Sequence, residues 1–108
     1  MVRPLADFER EALTDPDVKF GYDNYDLLAK VGGLLREMRL ASGMSQQELQ
    51  LASGVHQSDI SRTERGLAER GPSLSLITRM AHASGYSLVL SLRKPDEAAG
   101  DSLLSVEL

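Results

Sequence analysis

Residues 54–66, GVHQSDISRTERG, place Gln57, Ser58, Asp59, Ser61, Arg62 and Arg65 within nine positions around a lone apolar residue, Ile60. These side chains are donors and acceptors rather than nucleophiles or general bases. Set at the exposed start of a helix, such a row can bond the edges of DNA bases in the major groove. The bland alternative is a solvated surface helix. The choice depends on what holds the segment. A helix that reads bases must be anchored to a core by its apolar residue while its N-terminal residues face outward.

The neighbouring sequence supplies such a mount. In SQQE at 45–48, Ser45 and Glu48 have the spacing of a capping box, which starts a helix running to about Ser53 with Leu49 and Ala52 inward. Gly54 then permits a left-handed turn, Val55 plugs it, and a second helix covers 57–64 with Ile60 inward. Upstream, residues 27–42 carry Leu27, Val31, Leu34, Leu35 and Met38 at helical spacing. Gly32 and Gly33 interrupt that helix and mark either close packing against another backbone, the preferred reading, or a hinge between arm and domain. Downstream, Ser73 caps a helix over 74–84 with Leu74, Ile77, Met80 and Ala81 inward. The period then changes to two. YSLVLSL at 86–92 reads as a strand with Tyr86, Leu88, Leu90 and Leu92 on one face. A lone strand needs a partner, drawn from residues 18–25 or from a second chain. Two helices joined by Gly-Val, the second polar at its start, are the elements of a helix-turn-helix.

The charge pattern divides the chain. The net charge of −4 argues superficially against nucleic acid. Yet residues 1–26 hold three basic and seven acidic groups, residues 27–94 nine and five, and residues 95–108 none and four. An acidic arm (1–26), a basic domain with its terminal strand (27–94) and an acidic, disordered tail (95–108) are expected. Only the middle suits phosphates. The arm reads as a helix at 4–14 stopped by Asp-Pro-Asp, then an extended or loop segment at 18–25. It also collects Phe8, Phe20, Tyr22 and Tyr25, leaving Tyr86 as the only aromatic elsewhere. Aromatic anchors favour interfaces.

Several functions are disfavoured. The chain has no Cys, hence no disulfide and no thiolate metal site. His56 and His82 lack a third ligand at metal spacing, so no metal or other cofactor is expected. No catalytic triad or carboxylate pair stands out, and no enzyme is expected. No apolar run approaches the ~20 residues of a membrane span, and no secretion signal is evident. A cytoplasmic, nucleoid-associated protein without a membrane partner is expected.

MSQQELQLASGVHQSDISRTERG resembles the helix-turn-helix of the phage-repressor (Cro/C1, or XRE) family, and PSLSLITRMAHASGY resembles that family's next helix. The resemblance spans about residues 31–85. It implies a mainly α, lambda-repressor-like bundle of four to five helices with a short C-terminal strand. It further implies that Gln46 contacts phosphate and buttresses the recognition helix. Gln57 would bond adenine, Ser58 and Ser61 a base edge or phosphate, and Arg62 a guanine or phosphate. Arg65 and Arg70 would meet phosphates, and Arg39 and Glu64 would form a structural ion pair. Two positions depart from the family. His56 stands where a Ser or Thr usually caps, and Asp59 lies on a helix that should face phosphates, where it could accept from a cytosine N4 or point aside.

The arm and the final strand resemble HigA-type antitoxins of toxin–antitoxin modules. That resemblance implies a small basic RelE/HigB-like toxin, bound by Leu5, Phe8, Leu13, Phe20, Tyr22 and Tyr25, and repression of the module's own promoter. The alternatives are a stand-alone XRE-type repressor and a protein-binding adaptor that has lost DNA binding. In the DNA-binding readings the chain meets a palindromic double-stranded operator as a homodimer, with Tyr86, Leu88 and Leu90 as candidate dimer contacts and the helix over 74–84 as the alternative.

Overall fold

The computed structural model describes residues 14–96 and 104–108. The expected helix at 4–14, with Leu5, Phe8 and Leu13, falls outside them apart from Thr14. Five helices follow among the described residues: α1 (Pro16–Asp23), α2 (Tyr25–Ala41), α3 (Gln46–Ser53), α4 (Gln57–Glu64) and α5 (Leu74–Ala83). Two strands, β1 (Val89–Leu92) and β2 (Leu104–Glu107), complete the elements of the described residues. The mainly α bundle with a short C-terminal strand is thus observed, with a second strand added.

Asp-Pro-Asp begins a helix rather than ending one. Asp15 is the N-cap: its Oδ1 accepts from the backbone N–H of Asp17 at 2.9 Å and of Val18 at 3.5 Å. Pro16 occupies the first turn, where its missing N–H costs nothing. Residues 18–25 are therefore helical, neither extended nor loop. Asn24 marks the joint between α1 and α2, its side-chain amide donating to the Phe20 carbonyl at 2.9 Å.

The apolar core is centred on Leu35, Leu49, Val55, Ile60 and Met80, with Val31, Met38, Met44, Leu76, Ile77 and Ala83 packed around it. Leu49, Ile60 and Met80 are completely enclosed. The buried stripe of α2 is Leu28, Gly32, Leu35 and Arg39. Leu27 and Leu34, expected inward, are exposed, because each lies one residue, about 100°, away from that stripe. Leu74 is likewise exposed, and so is Ala52 on α3. Gly32 explains how closely α2 crosses the end of α4. A Cβ there would sit 2.7 Å from the Glu64 carbonyl oxygen and closer still to that of Thr63. At Gly33 a Cβ would meet nothing, so close packing is a property of Gly32 alone.

β1 pairs antiparallel with β2, with Leu90 opposite Val106 and Leu92 opposite Leu104. Residues 104–107 are therefore a strand and not disordered tail, and they supply the partner expected from residues 18–25 or from another chain. Tyr86 precedes the strand, in the turn closing α5, where its N–H donates to the Ala81 carbonyl at 2.9 Å.

Candidate nucleic-acid interface

The α3–turn–α4 unit is locked by local chemistry at each joint. The capping box of α3 is complete: the Glu48 N–H donates to Ser45 Oγ at 3.1 Å, and the Ser45 N–H donates to Glu48 Oε1 at 3.0 Å. Bonding from the Ser45 backbone and hydroxyl holds the Glu48 carboxyl below the usual carboxylate range. At the other end of α3, Gly54 adopts φ +75°, a left-handed conformation that side chains other than Gly rarely take. Val55 is buried beneath the turn. Ser53 Oγ donates to the Leu49 carbonyl at 2.6 Å and accepts from the Val55 N–H at 3.0 Å.

The start of α4 is held in two ways. His56 does cap the helix: its Nδ1 accepts from the Ser58 N–H at 3.1 Å, with Ser58 Oγ at 2.8 Å. The Gln57 N–H donates to Gln50 Oε1 at 2.6 Å, which ties α4 to α3 across the turn. Ile60 is wholly buried. Ser58 and Arg62 are exposed, while Gln57, Asp59 and Ser61 are half-buried.

The charged groups divide between a buried brace and an outer set. Arg39 and Glu64 form a bidentate pair: Nε to Oε2 at 2.7 Å and Nη2 to Oε1 at 2.8 Å, with both side chains almost wholly buried. Arg39 Nη1 also donates to the Met44 carbonyl at 2.9 Å, and Gln46 Nε2 to Glu64 Oε1 at 3.3 Å. The bond to Glu64 raises the Arg39 pKa, against burial. This brace joins α2, the loop before α3, α3 and the end of α4. Gln46 thus ties the start of α3 to the Glu64 carboxylate at the end of α4. Outside, Arg62 Nη2 lies 2.6 Å from Asp59 Oδ1, so Asp59 turns toward Arg62 on its own helix. Arg65 Nε donates to the Ser61 carbonyl at 3.3 Å. Arg70, at φ 54°, pairs with Asp17 of α1 at 2.7 Å. Gln57, Ser58, Ser61, Arg62 and Arg65 therefore share α4 and its end, whereas Arg70 sits apart in the following loop.

Sequence reasoning missed Gln50 and Arg79. Arg79 Nη2 reaches the Ser53 carbonyl at 3.5 Å at the end of α3. Neither bond is visible as a periodic pattern, because each joins two elements.

Of the aromatic arm residues, Phe20 is half-buried against its own domain: a Cβ added to Gly71 would meet its ring edge at 3.9 Å. Tyr22 and Tyr25 are exposed. Among the described residues no group of three or more His, Asp or Glu could hold a metal, and no helix is long and apolar enough to cross a membrane.

Residues 35–90 match a protein-family model described as helix-turn-helix. Among solved structures, a restriction-modification controller protein from Aeromonas hydrophila is 39% identical with a TM-score of 0.54, the match covering 57% of this chain and 91% of that one. A search of curated proteins found no match.

Proposed function

Because the chain belongs to the helix-turn-helix family, we propose that it is a sequence-specific DNA-binding transcription regulator of XRE type, acting as a homodimer on a palindromic operator. The observation that carries this reading is the way α4 is presented. Ile60 fixes it to the core, Gln50 and His56 bond its first amides, and Ser58 and Arg62 are left exposed with Gln57 and Ser61 half-buried beside them. In this reading Gln57 bonds adenine, and Ser58 and Ser61 meet a base edge or phosphate. Arg62 exchanges its bond to Asp59 for one to guanine or phosphate, and Asp59 is left to accept from a cytosine. Arg65 and Arg70 contact phosphates, and Gln46 supports α4 while touching the backbone. A neighbour named as a controller fits a stand-alone regulator.

The antitoxin reading ranks second. It draws on one observation: Tyr22 and Tyr25 line an open groove of about 490 Å³ rimmed by the acidic Asp15, Asp17 and Glu69. A basic toxin would suit such a surface. Co-expression with the product of the adjacent gene, followed by sizing, separates the two readings, since only an antitoxin co-elutes with it.

The test of the main reading is selection of bound sequences from random double-stranded DNA by the full chain. The expected result is a symmetric consensus whose half-sites lie about one helical turn apart. Enrichment of no sequence would overturn it.

A further inference from the structure

The register of β1 and β2 sorts their side chains cleanly. Residues directly opposite in an antiparallel pair share a face. Val89 stands opposite Glu107 and Ser91 opposite Ser105, so these four share the mixed face. Leu90 opposite Val106 and Leu92 opposite Leu104 share the other. The Leu108 N–H donates to the Leu88 carbonyl at 2.8 Å, which extends the pairing by one step and adds both leucines to that second face. Six aliphatic side chains thus form one face without a single polar group. It stays open to solvent: the central pair Leu90 and Val106 is 42% and 51% exposed, and the end pair Leu92 and Leu104 62% and 70%. The ribbon is fastened to the helices at one end, where His82 Nε2 lies 3.1 Å from the Leu108 carbonyl oxygen.

We propose that this apolar face of the β1–β2 ribbon is the surface on which a second copy of the chain docks, face to face, so that two ribbons stack into a small two-layer core. A two-stranded sheet is marginal in water alone, and stacking would bury it. An uncharged face can meet its own twofold image without setting like charges opposite one another, whereas a partner of either charge finds nothing there to pair with. The fastening runs to α5, which leaves α3 and α4 open. The chain also carries one recognition helix, and reading two half-sites takes two. That last point alone rests on the DNA-binding reading. Leu88 and Leu90 belong to this surface, and Tyr86 precedes the paired residues. Leu92, Leu104, Val106 and Leu108 extend it into the tail.

Sedimentation equilibrium of the full chain across micromolar concentrations tests this proposal. Wild type should be dimeric. Leu90→Asp and, on the other strand, Leu104→Lys should each weaken the dimer by about 100-fold or more, because a charge would be buried in an apolar contact. Ser91→Asp, on the mixed face, should remain dimeric. Circular dichroism should show all three variants with wild-type helix content, since none of these residues belongs to the helical core. A monomeric wild type overturns the proposal, as does a dimer that survives both Leu90→Asp and Leu104→Lys. Dissociation of Ser91→Asp as well overturns it in favour of edge-to-edge pairing. DNA binding is read separately: a wild-type dimer that binds no DNA contradicts the regulator reading while leaving this interface intact.

Discussion

The buried Arg39–Glu64 brace offers the sharpest prediction about stability. Replacing Glu64 by Leu removes the carboxylate that meets Arg39 at 2.7 Å and 2.8 Å and leaves a guanidinium enclosed among α2, α3 and α4. Breaking one half of a buried pair costs about 3–5 kcal/mol, most of it from the charge left without a partner. Domains of this size are stable by only ~5–15 kcal/mol in total, so the variant should be near the edge of folding. Its midpoint should fall by roughly 12 °C or more, at ~4–8 °C per kcal/mol. The double variant Arg39→Met with Glu64→Leu should behave differently. It removes both charges, and what remains is a Met44 carbonyl deprived of the donor that Arg39 Nη1 supplied at 2.9 Å and a Gln46 amide deprived of its Glu64 acceptor at 3.3 Å. Each loss is worth about 1 kcal/mol, offset by added apolar contact. Urea unfolding followed by circular dichroism for wild type, both single variants and the double gives the coupling energy directly. A double variant as unstable as the sum of the singles would refute the reasoning, as would a Glu64→Leu cost under ~1 kcal/mol.

Other perturbations test the remaining joints. Gly32→Ala should destabilise by about 1–3 kcal/mol, because its Cβ meets the carbonyls of Thr63 and Glu64 and must push α2 from α4; Gly33→Ala, facing open space, should not lower the thermal midpoint. Gln50→Ala deprives the Gln57 N–H of its acceptor and should cost about 1 kcal/mol in urea, with weaker operator binding in an anisotropy titration. The Glu48 carboxyl is held below its ordinary value of 4.5, so its contribution is present above that pH and is lost as pH falls through the lowered value. Glu48→Gln should therefore flatten the acid side of the stability–pH curve, measured by thermal melts between neutral and acid pH, while wild type keeps the slope.

Much of the helical unit was legible because its signals are local. Ser45 with Glu48, Gly54, Ile60 and Ser73 each announce a cap, a turn or an anchor within four residues of sequence. Misreadings arose where one pattern serves two purposes. Asp15 followed by Pro16 can close a preceding helix or open the next, and only the direction of the Asp15 bonds decides. On α2, paired leucines at 27–28 and 34–35 offer two stripes of equal spacing. The correct one is marked by Gly32 and Arg39, which a hydrophobicity pattern ranks low. The strand at 104–107 alternates apolar and polar residues, but its acidic surroundings favoured a tail. The candidate site was legible as a list of polar residues on α4. Its supports, Gln50 and Arg79, were not, because each bonds across a turn or between helices.

In the proposed regulator, α4 reads bases through Gln57. The most direct measurement is the affinity of wild type and Gln57→Ala for the selected operator and for each single-base-pair variant of one half-site, at fixed salt. Gln57→Ala should lose about 1–3 kcal/mol on the operator and lose discrimination at one base pair, with discrimination elsewhere unchanged. Equal affinity of the two proteins for the operator, or a uniform loss with every preference retained, would contradict it.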